Sequence, residues 1–215
     1  MLLFAQNLTV GLAVGILLAV LIGMTVHEFA HNYVAHLMGD PTPSRQGRLT
    51  LDPAVHIYWP GFIMFVLIGF GILGTAPISS RNMRNPRWGY LAAVAAGPFS
   101  NLLVAIVFGI VFRVVPISFW ASNDLFFDLI HMMVIFNILL FIFNLLPLFP
   151  LDGWHITLSL LPPEQAYWWQ RNAMLTQYVF LGLILFSFIM PPTLSPLNWI
   201  IGGALDGLRN LVMGI

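Results

Sequence analysis

The chain of 215 residues is 59% hydrophobic and only 7% charged, with zero net charge and a mean hydropathy of +0.89. Soluble domains carry roughly 25% charged residues, so a globular cytosolic protein is excluded, and so is a disordered chain, because apolar content this high would collapse. Eight Arg and no Lys stand against six Asp and two Glu, which argues against a nucleic-acid partner, and the lack of Cys excludes disulfides and thiolate metal sites.

What remains is a polytopic membrane protein whose surroundings are the lipid bilayer, and whose few charges each need a reason. The first apolar run, 8–38, is closed by Gly39-Asp40-Pro41, a helix stop. No basic residue precedes this run, so it reads as a retained helix rather than a cleaved leader. A polar loop with Arg45, Arg48 and Asp52 leads to a shorter run, 60–76, interrupted by Gly61, Gly69, Gly71 and Gly74. A loop with Arg81, Arg84 and Arg87 precedes runs at 89–115 and 125–149. After Asp152 come a partly polar stretch, 160–171, and an apolar span, 173–190, followed by Pro191-Pro192. The last piece, 197–215, holds Asp206 and Arg209 and either spans weakly or lies at the interface. The length suits one transmembrane domain, 1–215, with no appended soluble domain.

The second run decides the topology. If it spans, four arginines fall on each side of the membrane. If it enters and leaves on one side, six fall there against Arg113 and Arg209, a clear positive-inside bias. Four glycines in the run also suit a re-entrant loop or a β-hairpin better than a straight helix. The expected fold is therefore an all-α transmembrane helix bundle. Its re-entrant or β-hairpin segment lies between the first and second spanning helices, with the flanking loops cytoplasmic.

His27-Glu28-Phe29-Ala30-His31 is an H-E-x-x-H motif inside an apolar helix. Residues i and i+4 differ by about 40° around a helix, so both imidazoles project from one face and can grip one zinc ion. Glu28 can reach the attacking water as general base. An ionisable residue deep in a membrane helix is costly and is by default functional. A catalytic zinc takes three protein ligands, so a third must come from elsewhere at the same depth.

The candidates are His36, Asp40, Asp52, His56, Asp124, Asp128, His131, Asp152, His155 and Glu164. His36 lies about 140° off the metal face. Asp124, Asp128 and His131 fall near the far end of the fourth run. Asp152 fits best, because only the re-entrant topology brings the end of that run to the side where the H-E-x-x-H lies. Pro147 and Pro150 break the helix and let the carboxylate bend inward.

The chain here resembles the site-2 proteases, intramembrane zinc metalloproteases. The H-E-x-x-H matches the family's first signature, and residues 144–153, Asn-Leu-Leu-Pro-Leu-Phe-Pro-Leu-Asp-Gly, look like its second. Ala96-Gly97-Pro98-Phe99-Ser100-Asn101 is similar to the A-G-P-x-x-N element between them. The resemblance implies His27, His31 and Asp152 as ligands of one Zn2+ and Glu28 as catalytic base. Gly47-Arg48-Leu49-Thr50-Leu51-Asp52-Pro53 and the arginines after Pro77 look like the compact bacterial branch, which lacks PDZ and CBS domains. That branch implies a bacterial or archaeal plasma membrane and a substrate that is a membrane protein with a transmembrane helix, while the arginine bias puts the active site toward the cytoplasmic side. Tyr58-Trp59-Pro60 departs from the expected pattern after His56.

Asn101 and Asn144 place amides inside apolar helices. They either bond between helices or hold the substrate backbone or oxyanion. The function expected is peptide-bond hydrolysis in or beside the membrane, as in regulated intramembrane proteolysis. The rival is a non-catalytic membrane metal-binding or transport protein. Oligomeric state is not encoded legibly.

Overall fold

The computed structural model describes residues 8–69, 71 and 74–214. Helix α1, Val10–Leu37, starts where the Thr9 side chain accepts the Leu12 N–H at 3.0 Å. Two single-turn helices follow, α2 at Thr42–Arg45 and α3 at Pro53–His56, and then α4 at Trp59–Ile68. Helix α5, Pro86–Val114, opens with Asn85 as its cap and Pro86 in its first turn, a position where a missing N–H costs nothing. The short α6, Ile117–Ser122, turns the chain into α7, Asp124–Asn144. Helices α8 (Asp152–Leu160), α9 (Pro163–Arg171), α10 (Ala173–Ile189) and α11 (Pro196–Met213) complete the order.

Three helices, α1, α5 and α7, are long and apolar enough to cross a membrane, and α9 with α10 forms a further candidate span bent by 58°. The chain is an all-α polytopic membrane protein. Its central helices pack on one another: Ile16, Val20 and Met24 of α1 meet Met133, Phe136 and Leu140 of α7, while Ala105 of α5 meets Val134 and Ile138 of α7.

End-to-end bonds fix the helix directions. The Met38 carbonyl accepts the Arg84 N–H at 3.0 Å, so α1 stops where α5 starts. At the opposite end Thr9 Oγ1 donates to Asp128 Oδ2 at 2.8 Å, and Arg113 bonds the Leu211 carbonyl. Helix α1 therefore runs antiparallel to α5 and parallel to α7. Arg81, Arg84 and Arg87 share the end where α1 stops, whereas Arg113 and Arg209 lie at the other.

The 60–76 run opens with helix α4; its later described residues are non-helical, and an antiparallel bridge joins Ile57 to Gly74. Exit therefore lies beside entry, the arrangement of a re-entrant segment. Its first half is helical rather than a hairpin strand, because Pro60 sits in the first turn and nothing in 59–68 breaks the ladder. Residues 70, 72 and 73 of the run lie outside the described residues.

Asp40 ties the return of this segment to the end of α1. Its buried carboxylate accepts Thr42 N–H at 3.0 Å, Thr42 Oγ1 at 2.6 Å, Ser79 N–H at 2.6 Å and Asn82 Nδ2 at 3.1 Å. Burial by itself pushes this carboxyl up, but the donors from Thr42, Ser79 and Asn82 outweigh it and hold the group below the usual carboxylate range.

Candidate metal centre

Helix α7 ends at Asn144 and not at 149, since the prolines at 147 and 150 cannot continue it. The turn that results carries Asp152 to the first position of α8, facing α1. There Asp152 Oδ2 lies 3.1 Å from His27 Nε2 and 3.3 Å from His31 Nε2, and the two Nε2 atoms lie 3.0 Å apart. Both histidines and Glu28 are buried, with 3–4% of their surface exposed.

The far side of each imidazole is fixed by α5. His31 Nδ1 is 2.8 Å from the Ala93 carbonyl, which can only accept, so Nδ1 donates. His27 Nδ1 is 2.7 Å from Asn101 Oδ1. Asn101 Nδ2 donates to the Gly23 carbonyl at 2.9 Å and to Asn137 Oδ1 at 3.0 Å, and Asn137 Nδ2 donates to the Met133 carbonyl at 2.8 Å. That chain assigns the amide orientation of Asn101, so its oxygen accepts from His27. Both imidazoles thus carry a proton on Nδ1, and in the neutral ring they present a lone pair at Nε2.

Two imidazole nitrogens and a carboxylate oxygen therefore converge, and with both rings neutral they meet lone pair to lone pair. Asp152 Oδ2 is buried and makes no hydrogen bond among the described residues. Such a group is repulsive unless a proton or a metal cation sits among the three atoms, and three converging donors of this kind suit a metal. A tetrahedral zinc with bonds of about 2.0–2.1 Å has ligand–ligand edges of about 3.3–3.4 Å. The observed edges of 3.0–3.3 Å approach that size, and the outward Nδ1 bonds are the supports that ligating histidines ordinarily have. The residues fit zinc.

Two relatives carry names that agree with this chemistry. YwhC of Bacillus subtilis, named "Putative zinc metalloprotease", is 36% identical over 186 residues, 82% of this chain and 80% of that protein. The chain belongs to this zinc metalloprotease family, of the compact site-2 protease type. Rip2 of Mycolicibacterium smegmatis, which bears the same description, is 26% identical over 161 residues, 72% of this chain and 60% of that protein. No family model and no solved structure matches the chain.

Like the metal group, the base candidate of this family member faces a cavity of about 1100 Å³ that opens between α1, α4, α7, α10 and α11. Glu28 Oε2 is buried and has no hydrogen-bond partner among the described residues. Two glycines let other backbone approach the centre. A Cβ on Gly97 of α5 would fall onto His31 Nε2 and 2.8 Å from His27 Nε2. A Cβ on Gly74 of the re-entrant return would lie 2.9 Å from Glu28 Oε1 and 2.8 Å from the His56 carbonyl. Next to Gly97, Pro98 withholds an N–H from the helical ladder.

The two asparagines divide. Asn101 is fully buried, and its oxygen and both amide hydrogens are committed to His27, Gly23 and Asn137, so it positions His27 and joins helices rather than facing a substrate. Asn144 lines the cavity and donates Nδ2 to the Leu140 carbonyl at 3.0 Å. Of the remaining sequence candidates, His155 lines the same cavity, and the others are not part of the metal group. His36, Asp124 and Glu164 are exposed, Asp52 caps α3, and Asp128 bonds Thr9. His56 is buried with Nε2 2.6 Å from the Thr50 carbonyl. The sequence reading missed Asn137 and Ala93. Asn137 offered a signal, an amide in an apolar helix, but the Ala93 contribution is a main-chain oxygen that no residue type announces.

Proposed function

We propose that this metalloprotease is an intramembrane zinc endopeptidase that cleaves a membrane-protein substrate in or near its transmembrane segment, as in regulated intramembrane proteolysis. The observation that carries this reading is depth. Glu28, His27 and His31 lie within a membrane-length helix, Glu28 about 14 Å from its end at Leu37, and with Asp152 they open onto a largely apolar cavity. A soluble peptide has little reason to seek such a site.

In this reading His27, His31 and Asp152 hold one zinc ion per chain. Zinc, when bound, polarises a scissile carbonyl and acidifies the attacking water. Glu28 accepts a proton from that water as its oxygen bonds the carbonyl carbon. It returns the proton to the amide nitrogen as the C–N bond breaks, leaving a carboxyl and an amine. Asn101 and Ala93 keep the imidazoles in the tautomer the ligands need. The positive-inside bias supports a cytoplasmic location for the loops at the end where α1 stops, with the active site toward that side. A bacterial or archaeal plasma membrane accords with the relatives' organisms.

The test is cleavage of a single-span membrane protein by the purified, zinc-loaded chain in lipid vesicles, beside Glu28→Gln. The expected result is cleavage by the parent and none by the variant, with one zinc bound to each. Undiminished cleavage by Glu28→Gln removes the mechanism, and zinc binding without cleavage by either protein favours a metal carrier.

A further inference from the structure

The cavity wall holds a polar pair that the hydrolytic steps above do not use. Tyr90 of α5 and His155 of α8 both line the cavity with Glu28 and the metal group. Tyr90 Oη lies 3.1 Å from His155 Nδ1. Residues three apart share a helix face, so His155 follows Asp152 on α8 just as Ala93, the His31 partner, follows Tyr90 on α5. The His155 ring is held among Tyr90, Phe149 and Trp154, with centroid separations of 5.9, 6.3 and 4.9 Å.

Which partner donates in this bond depends on the histidine tautomer, and the arrangement in which the phenol donates is the one with consequences for the site. A neutral phenol must direct its hydrogen somewhere, and among the described residues His155 Nδ1 is the acceptor within reach. With Tyr90 donating, Nδ1 is the unprotonated nitrogen and His155 carries its proton on Nε2. In that arrangement this cavity-lining imidazole carries its N–H on Nε2, the opposite tautomer from neutral His27 and His31. A site built from carboxylates and lone pairs gains from a donor, since hydrolysis places negative charge on the carbonyl oxygen.

We propose that His155, oriented by Tyr90, is a catalytic residue that donates its Nε2 hydrogen to the scissile carbonyl oxygen as that oxygen gains charge. Tyr90 is its positioning residue. This assignment rests on the hydrolytic reading of the same site.

Two experiments test it. The first reads the tautomer without turnover: 15N-histidine NMR of the purified protein should place the His155 proton on Nε2, and Tyr90→Phe should shift it toward a mixture. A proton on Nδ1 in the parent protein overturns the proposal. The second is kinetic. His155→Leu should lower kcat by about 10²–10³-fold, the usual effect of removing one such donor. It should retain zinc, with KM changed less than about threefold, as expected for an interaction made only in the transition state. His155→Gln, which keeps a donor, should recover a large part of that loss. Tyr90→Phe should lower kcat by about tenfold alone and add nothing to His155→Leu, because the two act as one unit. Full activity of His155→Leu overturns the proposal, and so does loss of zinc from both His155 variants. Glu28→Gln run alongside separates the two readings. If it cleaves normally the hydrolytic reading falls, whereas if it is inactive and His155→Leu is not, only the His155 assignment falls.

Discussion

Asn101 Oδ1 accepts the Nδ1 hydrogen of His27 at 2.7 Å, and that one bond decides which nitrogen of His27 faces Asp152. Asn101→Leu removes the acceptor and frees the ring to turn. Losing such a partner costs roughly 10–100-fold in metal affinity. Zinc retention against a graded chelator should fall accordingly, while Asn101→Asp, which still accepts, should keep more metal than Asn101→Leu. Equal retention by Asn101→Leu and the parent protein would show that His27 is oriented some other way.

Gly97 and Gly74 touch different halves of the site, so alanine at each should have a different signature. Gly97→Ala drives a methyl onto the imidazole nitrogens and should lower bound zinc, with activity falling in step. Gly74→Ala meets the Glu28 carboxylate and the His56 carbonyl instead, so zinc should stay while kcat falls. Paired metal analysis and cleavage rates check both. Zinc loss from Gly74→Ala alone would reverse the assignment.

The Asp40 clamp gives the fold an acid-sensitive element. Its folded pKa lies below that of an unfolded aspartate, so its contribution is complete above the unfolded value and vanishes as pH falls through the folded one. Asp40→Asn exchanges an acceptor oxygen for an amide and leaves buried donors unmatched, at about 1–3 kcal/mol. Thermal unfolding in detergent should show Asp40→Asn less stable than the parent at neutral pH. The gap should narrow as the pH approaches the carboxylate range, and a gap of constant size would contradict the assignment.

Arg87 holds the other end of the helix that begins with Asp152. Its Nε donates to the Ser159 carbonyl at 2.7 Å, and Nη2 to those of Leu160 and Leu161 at 3.1 Å each. Arg87→Ala should cost about 1.5–3 kcal/mol for losing charged hydrogen bonds to the carbonyls at this helix end. It should also loosen zinc by letting α8 shift. Arg87→Lys should restore little, because an ammonium cannot span three carbonyls as a guanidinium fork does. Calorimetry and metal titration of both variants check this.

Much of the site was legible because its chemistry resides in residue types the rest of the chain lacks. With two Glu and six His in 215 residues, His27-Glu28-x-x-His31 stands out, and Pro147, Pro150 and Asp152 mark an irregular turn at matching depth. The re-entrant segment was legible from glycines and arginines, but its helical half was not. Periodicity in a wholly apolar stretch does not separate helix from strand, and the Ile57–Gly74 bridge is a long-range contact. The same holds for the supports. Asn101 reads as a polar group in lipid, yet its role depends on Gly23, His27 and Asn137, which only packing brings together.

The metal group joins residues that synthesis delivers far apart in time. His27 and His31 emerge with the first spanning helix, whereas Asp152 follows everything from α2 to α7. A half-made chain in the membrane thus holds the glutamate and two imidazoles but lacks the oxygen that closes the triangle. Helices α10 and α11, which complete the cavity wall, are made later still, so the three ligands are all present before their surroundings are finished.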